Sequence, residues 1–424
     1  MSALIDQRRR RTIIAGLAGI IGLVSLPMLS IAAAKTLKNS KEGRNILVGL
    51  PDLILVPPTP AALFAAVDDQ GEVTAISLLA LSPPRNGVVK GGTIIEVPVG
   101  AKTNLADGTV GRLADAYAHG GQTELVEAAE GLLGVTMLTS MVAGADGIAA
   151  LLAPYAPLDV NLAADVVHTD AAGVDQVVAP AGTVSADAAM LAAMLTAHEQ
   201  GRPETDRFGR IGDLWSTIAL RVGPGIGTPI TTTTSTVGAA TAAPIEDPAA
   251  DFATFWQAMF AGESHVYRLN STPVTDPVTN PVGSDMVDLY LAEVIYITAT
   301  VLPSSVSPAF SSITFYVRSP LGDSRLTLEA VSRLAFNGAN VVLVKEDTSL
   351  ETPALNTISF VDPSDGAQAE AFVKTLGSGY TVVPAEYRID NVDVVLTLGE
   401  QWRKDADLER LNVATTVAPP ATEG

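Results

Sequence analysis

Arginines are the scarce and informative residues of this chain. Arg85 in SPPRNG, Arg112 ahead of LADAYAHGG and Arg210 in RFGRIGDLW are three of them. A guanidinium presents a planar fork of donors that matches a phosphate or carboxylate. The same three residues fit an ordinary role as solvated surface charges, and Arg210 has Asp206 and Asp213 within reach along its own helix. Asp115 and Asp206 are candidate Mg²⁺ ligands, but each stands alone, and lone carboxylates make weak sites. Tyr117 and His119 read as packing residues, because no carboxylate or nucleophile lies beside His119 to make it a general base. No residue declares itself catalytic.

Composition narrows the chemistry further. There is no cysteine among the 424 residues, which removes disulfides, thiolates and cysteine metal sites and fits an exported protein. Four histidines with no local clamp argue against a zinc enzyme, so no metal site is expected. Residues 1–45 carry eight Lys/Arg against two acids, leaving 18 against 44 in the remainder. A body that acidic repels a phosphate backbone, and nucleic acid is excluded as a partner.

The elements that must hold these residues follow from patterning. Residues 12–34 are 23 uncharged residues, about 34 Å as a helix and enough to span a bilayer. Four arginines precede them and favour a cytoplasmic tail at residues 1–11, a single transmembrane helix at 12–34 and a stalk at 35–48; Lys35, Lys38, Lys41 and Arg44 follow, so charge bias alone leaves the orientation open. A cleavable signal peptide ending near Ala32-Ala33-Ala34 is the rival reading. Beyond the stalk, LILV (53–56), AALFAAV (61–67) and VTAISLLAL (73–81) read as strands, the last two a hairpin around Asp68-Asp69-Gln70-Gly71. LADAYA is a helical turn, Gly120-Gly121 a break, and 125–133 an amphipathic helix. Further helices are predicted at 145–153, 186–201, 210–223, 251–261 and 284–303, and strands at LDVNL (158–162) and VDQVV. Apolar faces on 125–133, 147–153 and 186–195 could line a tunnel or a common core. The Thr/Ala/Pro-rich stretch 224–250 is a loop. From 311 to 405 strands and helices alternate as a small second α/β domain, and 406–424 reads as a disordered tail.

In this order the pieces resemble the LytR-CpsA-Psr (LCP) family of cell-envelope proteins, followed by a LytR-type C-terminal domain. RLADAYAHGG stands where the family has a KINAAYAYGG-like segment, ADGIAALLAPYAPLDVNL matches its DGF helix and VDV strand, and RFGRIGDLW its DFGRIQRQQ helix. VDVVLTLGEQW is similar to the ending of the C-terminal domain. The resemblance implies an LCP-like mixed sheet with helices on both faces over residues 49–305, carried outside the membrane by the single helix. It also implies an enzyme class that moves glycopolymers from a polyprenyl pyrophosphate to peptidoglycan, with arginines and an aspartate-held Mg²⁺ on the pyrophosphate. Most of the implied catalytic positions are changed here. The family's aspartate falls near Pro60, its SIPRD pair near Ala80 and Leu81, its paired arginines in MLTAHE, a second helix arginine at Asp213 and its asparagine at Ala114. Only Arg210 keeps a matching position, with Arg85 and Arg112 as neighbours out of register. The expectation is therefore a membrane-anchored protein that binds polyprenyl (pyro)phosphate or a partner and supports attachment of wall glycopolymer, its transferase activity weak or lost. An active, Mg²⁺-dependent phosphotransferase and a purely structural ectodomain are the alternatives.

Overall fold

The computed structural model describes residues 53–84, 89–199, 201–202, 204–222, 251–281, 283–307, 313–377 and 379–406. The expected transmembrane helix 12–34, the stalk, Arg85, the loop 224–250 and the tail beyond 406 lie outside them, as does the side chain of Asp206. Among the described residues no helix is long and apolar enough to cross a membrane. Both sheets below belong to one compact unit, Ile54–Pro384 with Ile389–Gly424.

The first sheet is built on the hairpin read from the sequence. Strand β1 (Ala61–Val67) runs antiparallel to β2 (Val73–Leu81), pairing Ala61 with Ala80 and Val67 with Val73. β3 (Gly92–Val97) is antiparallel to β2, while β4 (Thr139–Ala143) and β5 (Ser264–Arg268) add parallel to β1 and β3, giving the order β5-β3-β2-β1-β4. The central strands are buried along nearly their whole length because both faces are covered, with Thr74, Ser77, Thr93 and Glu96 the polar exceptions. Ala62, Phe64, Leu79 and Ile94 face one core, under α2 (Ala145–Leu152), α3 (Ala188–Thr196), α4 (Glu204–Val222) and α5 (Phe252–Phe260). Leu63, Leu78 and Ile95 face the other, under α1 (Leu113–Leu133) and α6 (Leu291–Val301). The three apolar helix segments proposed to share a lining are thereby divided. Leu125 and Leu133 pack on one face of the sheet, Ile148, Leu152, Leu191 and Leu195 on the other.

The first face is filled by aromatics. Trp256 packs against Phe260, Phe64, Trp215 and Phe252 with ring centroids 4.7, 5.6, 6.0 and 6.0 Å away. Phe64 also meets the edge of Trp215 at 5.6 Å.

The Gly-Gly break is present inside α1. Gly120 and Gly121 leave helical geometry, with Gly121 at φ 68, ψ −154, a region open essentially to glycine alone. Gly121→Ala should lower stability by about 1–3 kcal/mol in a urea titration. A change below a few tenths would mean that the kink relaxes without cost.

Two sequence expectations need correction. The segment 284–303 is not one helix: Val287–Leu289 pairs antiparallel with Ser271–Pro273, and helix begins only at Leu291. Non-local pairing supplied the ladder, which a local period cannot reveal. The helix expected over 186–201 ends at Thr196, since Ala197 is extended and the His198 carbonyl turns to accept the Thr169 N–H. LILV contributes only Leu53–Ile54 as strand.

The C-terminal alternation forms a second sheet, β7-β6-β10-β8-β9, from β6 (Thr314–Ser319), β7 (Asn340–Glu346), β8 (Asn356–Phe360), β9 (Tyr380–Val382) and β10 (Val394–Thr397). All neighbours are parallel except β8 with β10. Helices α7 (Ser324–Phe336) and α8 (Pro363–Lys374) pack on it, and buried Trp402 donates its indole N–H to the Leu326 carbonyl at 2.9 Å. This core does not stop at residue 311. It takes in Ala299, with Ile295 and Tyr296 packed against it, from α6, whose Val294 and Ile297 belong to the first sheet's core.

Candidate functional site

Asp68 closes the β1–β2 turn. Its side chain is fully buried, and its Oδ1 accepts the backbone N–H groups of Gln70 (2.9 Å) and Glu72 (2.8 Å). Those bonds aim the second oxygen, Oδ2, at His198 Nδ1, 3.2 Å away. Glu72 Oε2 approaches the same ring nitrogen at 3.2 Å. Burial alone would raise the Asp68 pKa, but the bonds from His198 and the backbone at Glu72 and Gln70 outweigh it and hold it below the usual carboxylate range.

His198 follows α3 and is fixed through its backbone. Its carbonyl accepts the Thr169 N–H at 2.7 Å, and its own N–H donates to His168 Nδ1 at 3.2 Å. His168 Nε2 stands 3.4 Å from Asp69. Next in sequence, buried Glu199 receives three groups: the Val167 N–H at 3.2 Å, Arg210 Nη1 at 3.0 Å, and Arg202 Nε in a close ion pair at 2.5 Å. Burial lowers the Arg210 pKa against the opposing pull of Glu199, and its Nε and Nη2 are buried with no hydrogen-bond partner.

Around these residues opens a cleft of about 390 Å³. Arg112, Arg202 and Arg207 line it, together with Glu72, Asp115, His198, Glu199 and Asp285. The sheet topology makes this meeting. β3 runs back toward the β1–β2 turn, so the chain that follows it carries Arg112 and the start of α1 to the same end where α3 delivers His198.

Of the residues singled out from sequence, Arg112 lines the cleft and Arg210 stands behind it through Glu199, while Arg85 is outside the described residues. Arg112 is bound by Asp115, with Nη2 2.7 Å and Nε 3.1 Å from Oδ1, which raises its pKa; Asp115 also caps α1 by accepting the Arg112 N–H. The mate of Arg210 is Glu199. Asp213 pairs with Arg268 at 2.7 Å. Tyr117 is half-buried against the second core as expected, but His119 is exposed, one residue before the break at Gly120. Sequence reasoning missed Arg202, Arg207, Glu199 and His198. The available signal was HEQGRPETDRFGR, three arginines in nine positions after 89 residues without a cation.

The positions near Pro60, Ala80 and Leu81 lie at the other end of the hairpin, roughly 20 Å away along seven strand residues. Pro60 has no side-chain donor atom, so the Mg²⁺ implied by the resemblance finds no ligand there.

No known family's sequence profile matches the chain, and no curated protein matches it. Solved structures do. TagT of B. subtilis aligns at 13% identity over 57% of this chain and 88% of its own, with a TM-score of 0.39. TagV of B. subtilis aligns at 14% identity over 56% of this chain and 94% of its own, TM-score 0.38. The LytR-CPS2A-psr family protein YwtF (TagT) with bound octaprenyl pyrophosphate lipid aligns at 15% identity over 56% of this chain and 87% of its own, TM-score 0.37. The chain is thus similar in structure to solved LytR-CPS2A-psr proteins, with a mixed α/β fold.

Proposed function

We propose that the cleft at the β1–β2 turn binds the phosphate groups of a polyprenyl (pyro)phosphate carrier, and that the chain is a membrane-anchored, extracytoplasmic protein supporting attachment of glycopolymer to peptidoglycan. The observation that carries this reading is the convergence of Arg112, Arg202 and Arg207 on one cleft in a chain of net charge −20. Guanidinium forks suit phosphate oxygens. The motif order RLADAYAHGG, DVNL and RFGRIGDLW supports the envelope assignment.

The same geometry favours binding over turnover. Arg112 is already held in a two-pronged pair with Asp115, and Glu199 occupies Arg210 and Arg202. Stabilising the charge that develops in phosphoryl transfer needs donors aimed and available, and losing one such donor costs about 10²–10³ in rate. We therefore assign weak or absent transferase activity.

The test is binding of farnesyl pyrophosphate to the full chain in mild detergent, read by calorimetry. Arg202→Ala with Arg207→Ala should weaken binding by about tenfold or more, as expected for lost bonds to a charged group. Equal affinity in the variant, or no binding by the parent chain, would sink the assignment. Turnover at the rate of a working transferase would overturn the second part alone.

A further inference from the structure

The His198 contact with two carboxylates is not accounted for by phosphate binding. One ring nitrogen carries at most one hydrogen, yet Nδ1 lies 3.2 Å from both Asp68 Oδ2 and Glu72 Oε2. A single N–H serves both only as a shared three-centre bond, weaker to each than a direct one. Two like-charged oxygens gathered on one nitrogen are also the layout of ligands around a cation. Ligand atoms about 2.0–2.2 Å from a divalent metal stand roughly 3.0–3.5 Å from one another in tetrahedral or octahedral geometry, and the two separations fall in that range. All three ligand atoms lie within 4.8 Å of one another.

We infer that Asp68, Glu72 and His198 form a binding site for a divalent transition-metal ion. One imidazole with two carboxylates is a mixed N/O set of the kind that takes Zn²⁺, Co²⁺ or Mn²⁺. The supporting bonds are those of a prepared site. Two backbone amides hold Asp68 Oδ1 and leave Oδ2 to the metal, and both backbone groups of His198 are tied down. Glu72, with its side chain 60% exposed, supplies the ligand that can swing in from solvent. Neither the residues nor their place agrees with the Mg²⁺ position near Pro60.

The site also answers an electrostatic problem in the cleft. Three arginines face four carboxylates there, one net negative charge with His198 neutral, which disfavours an anion. Glu72 and His198 belong to the cleft wall, so a bound dication reverses that sign where phosphate would enter. The metal site stands on its own geometry; only this consequence rests on the phosphate reading.

Cobalt(II) titration of the EDTA-stripped full chain in detergent, followed by visible absorption, tests the inference. A ligand-field band saturating at one equivalent is expected. His198→Ala should weaken binding about 100-fold and Glu72→Gln about tenfold, with His265→Ala, on exposed β5, unchanged. No band, or a band indifferent to both ligand variants, would overturn it. Should His198→Ala fail to fold, Glu72→Gln decides, because its side chain is largely solvent-exposed. Farnesyl pyrophosphate affinity in cobalt against EDTA then separates the two claims. Cobalt binding without any gain in pyrophosphate affinity leaves the metal site standing and refutes its coupling to phosphate.

Discussion

Glu96→Gln is expected to stabilise the protein, increasingly so as pH rises from 5 to 8. Glu96 is the penultimate residue of β3, fully buried, with both carboxyl oxygens lacking a hydrogen-bond partner. Burial pushes its pKa from 4.5 up to about 8; the Arg268 guanidinium, 3.5 Å away, pulls against that rise, and Asp213 on α4 adds to it. In the unfolded chain the group ionises near 4.5, while the folded protein keeps the proton until about pH 8. The contribution of the raised pKa is therefore complete below 4.5 and is lost progressively between 4.5 and 8, by up to about 1.4 kcal/mol per pH unit. A neutral amide removes that dependence. It also has a buried, unpartnered oxygen opposite it, since Ser77 is the cross-strand neighbour of Glu96. The net gain at pH 8 should be on the order of 2 kcal/mol. Urea midpoints of both proteins from pH 5 to 9 supply the check. Parallel curves would show that Glu96 is not held as a buried neutral acid.

Trp256→Ala should be the most damaging single truncation in the first core. The indole touches four aromatic rings drawn from β1, α4 and α5, so its removal opens a void that no one neighbour can fill. The expected loss is about 3–5 kcal/mol, against less than half of that for Trp256→Phe, which keeps a ring at the centre. Thermal and urea unfolding of both variants measures it. An alanine variant as stable as the parent would mean that this face is loosely packed. The result bears on the function proposed above, because a prenyl chain would need continuous apolar space, and on this face aromatic rings fill the core.

The sequence carried the strands well and the site poorly, for a physical reason in each case. AALFAAV and VTAISLLAL are short apolar runs about a polar turn, a local pattern that fixes a hairpin without outside help. Gly120-Gly121 likewise announces its break, since only glycine adopts the backbone found there. The site depends on separations that local patterns do not encode: His198 meets Asp68 across 130 positions, and Arg112 meets Arg202 only because β3 and α3 end at the same edge. Matching arginines to family positions directed attention to Ala80 and Leu81, at the far end of the hairpin. The dense HEQGRPETDRFGR segment was the better guide.

Helix α6 gives its two sides to different sheets, Val294 and Ile297 to the first core and Ala299 to the second, and Tyr296 donates its hydroxyl proton to Glu346 on β7 at 2.8 Å. A rod seated in two cores leaves no slack between them. Pulling on the C-terminal sheet therefore loads α6 directly, and through it the face of the first sheet that α1 also covers. Under tension the two sheets yield together, as one mechanical element.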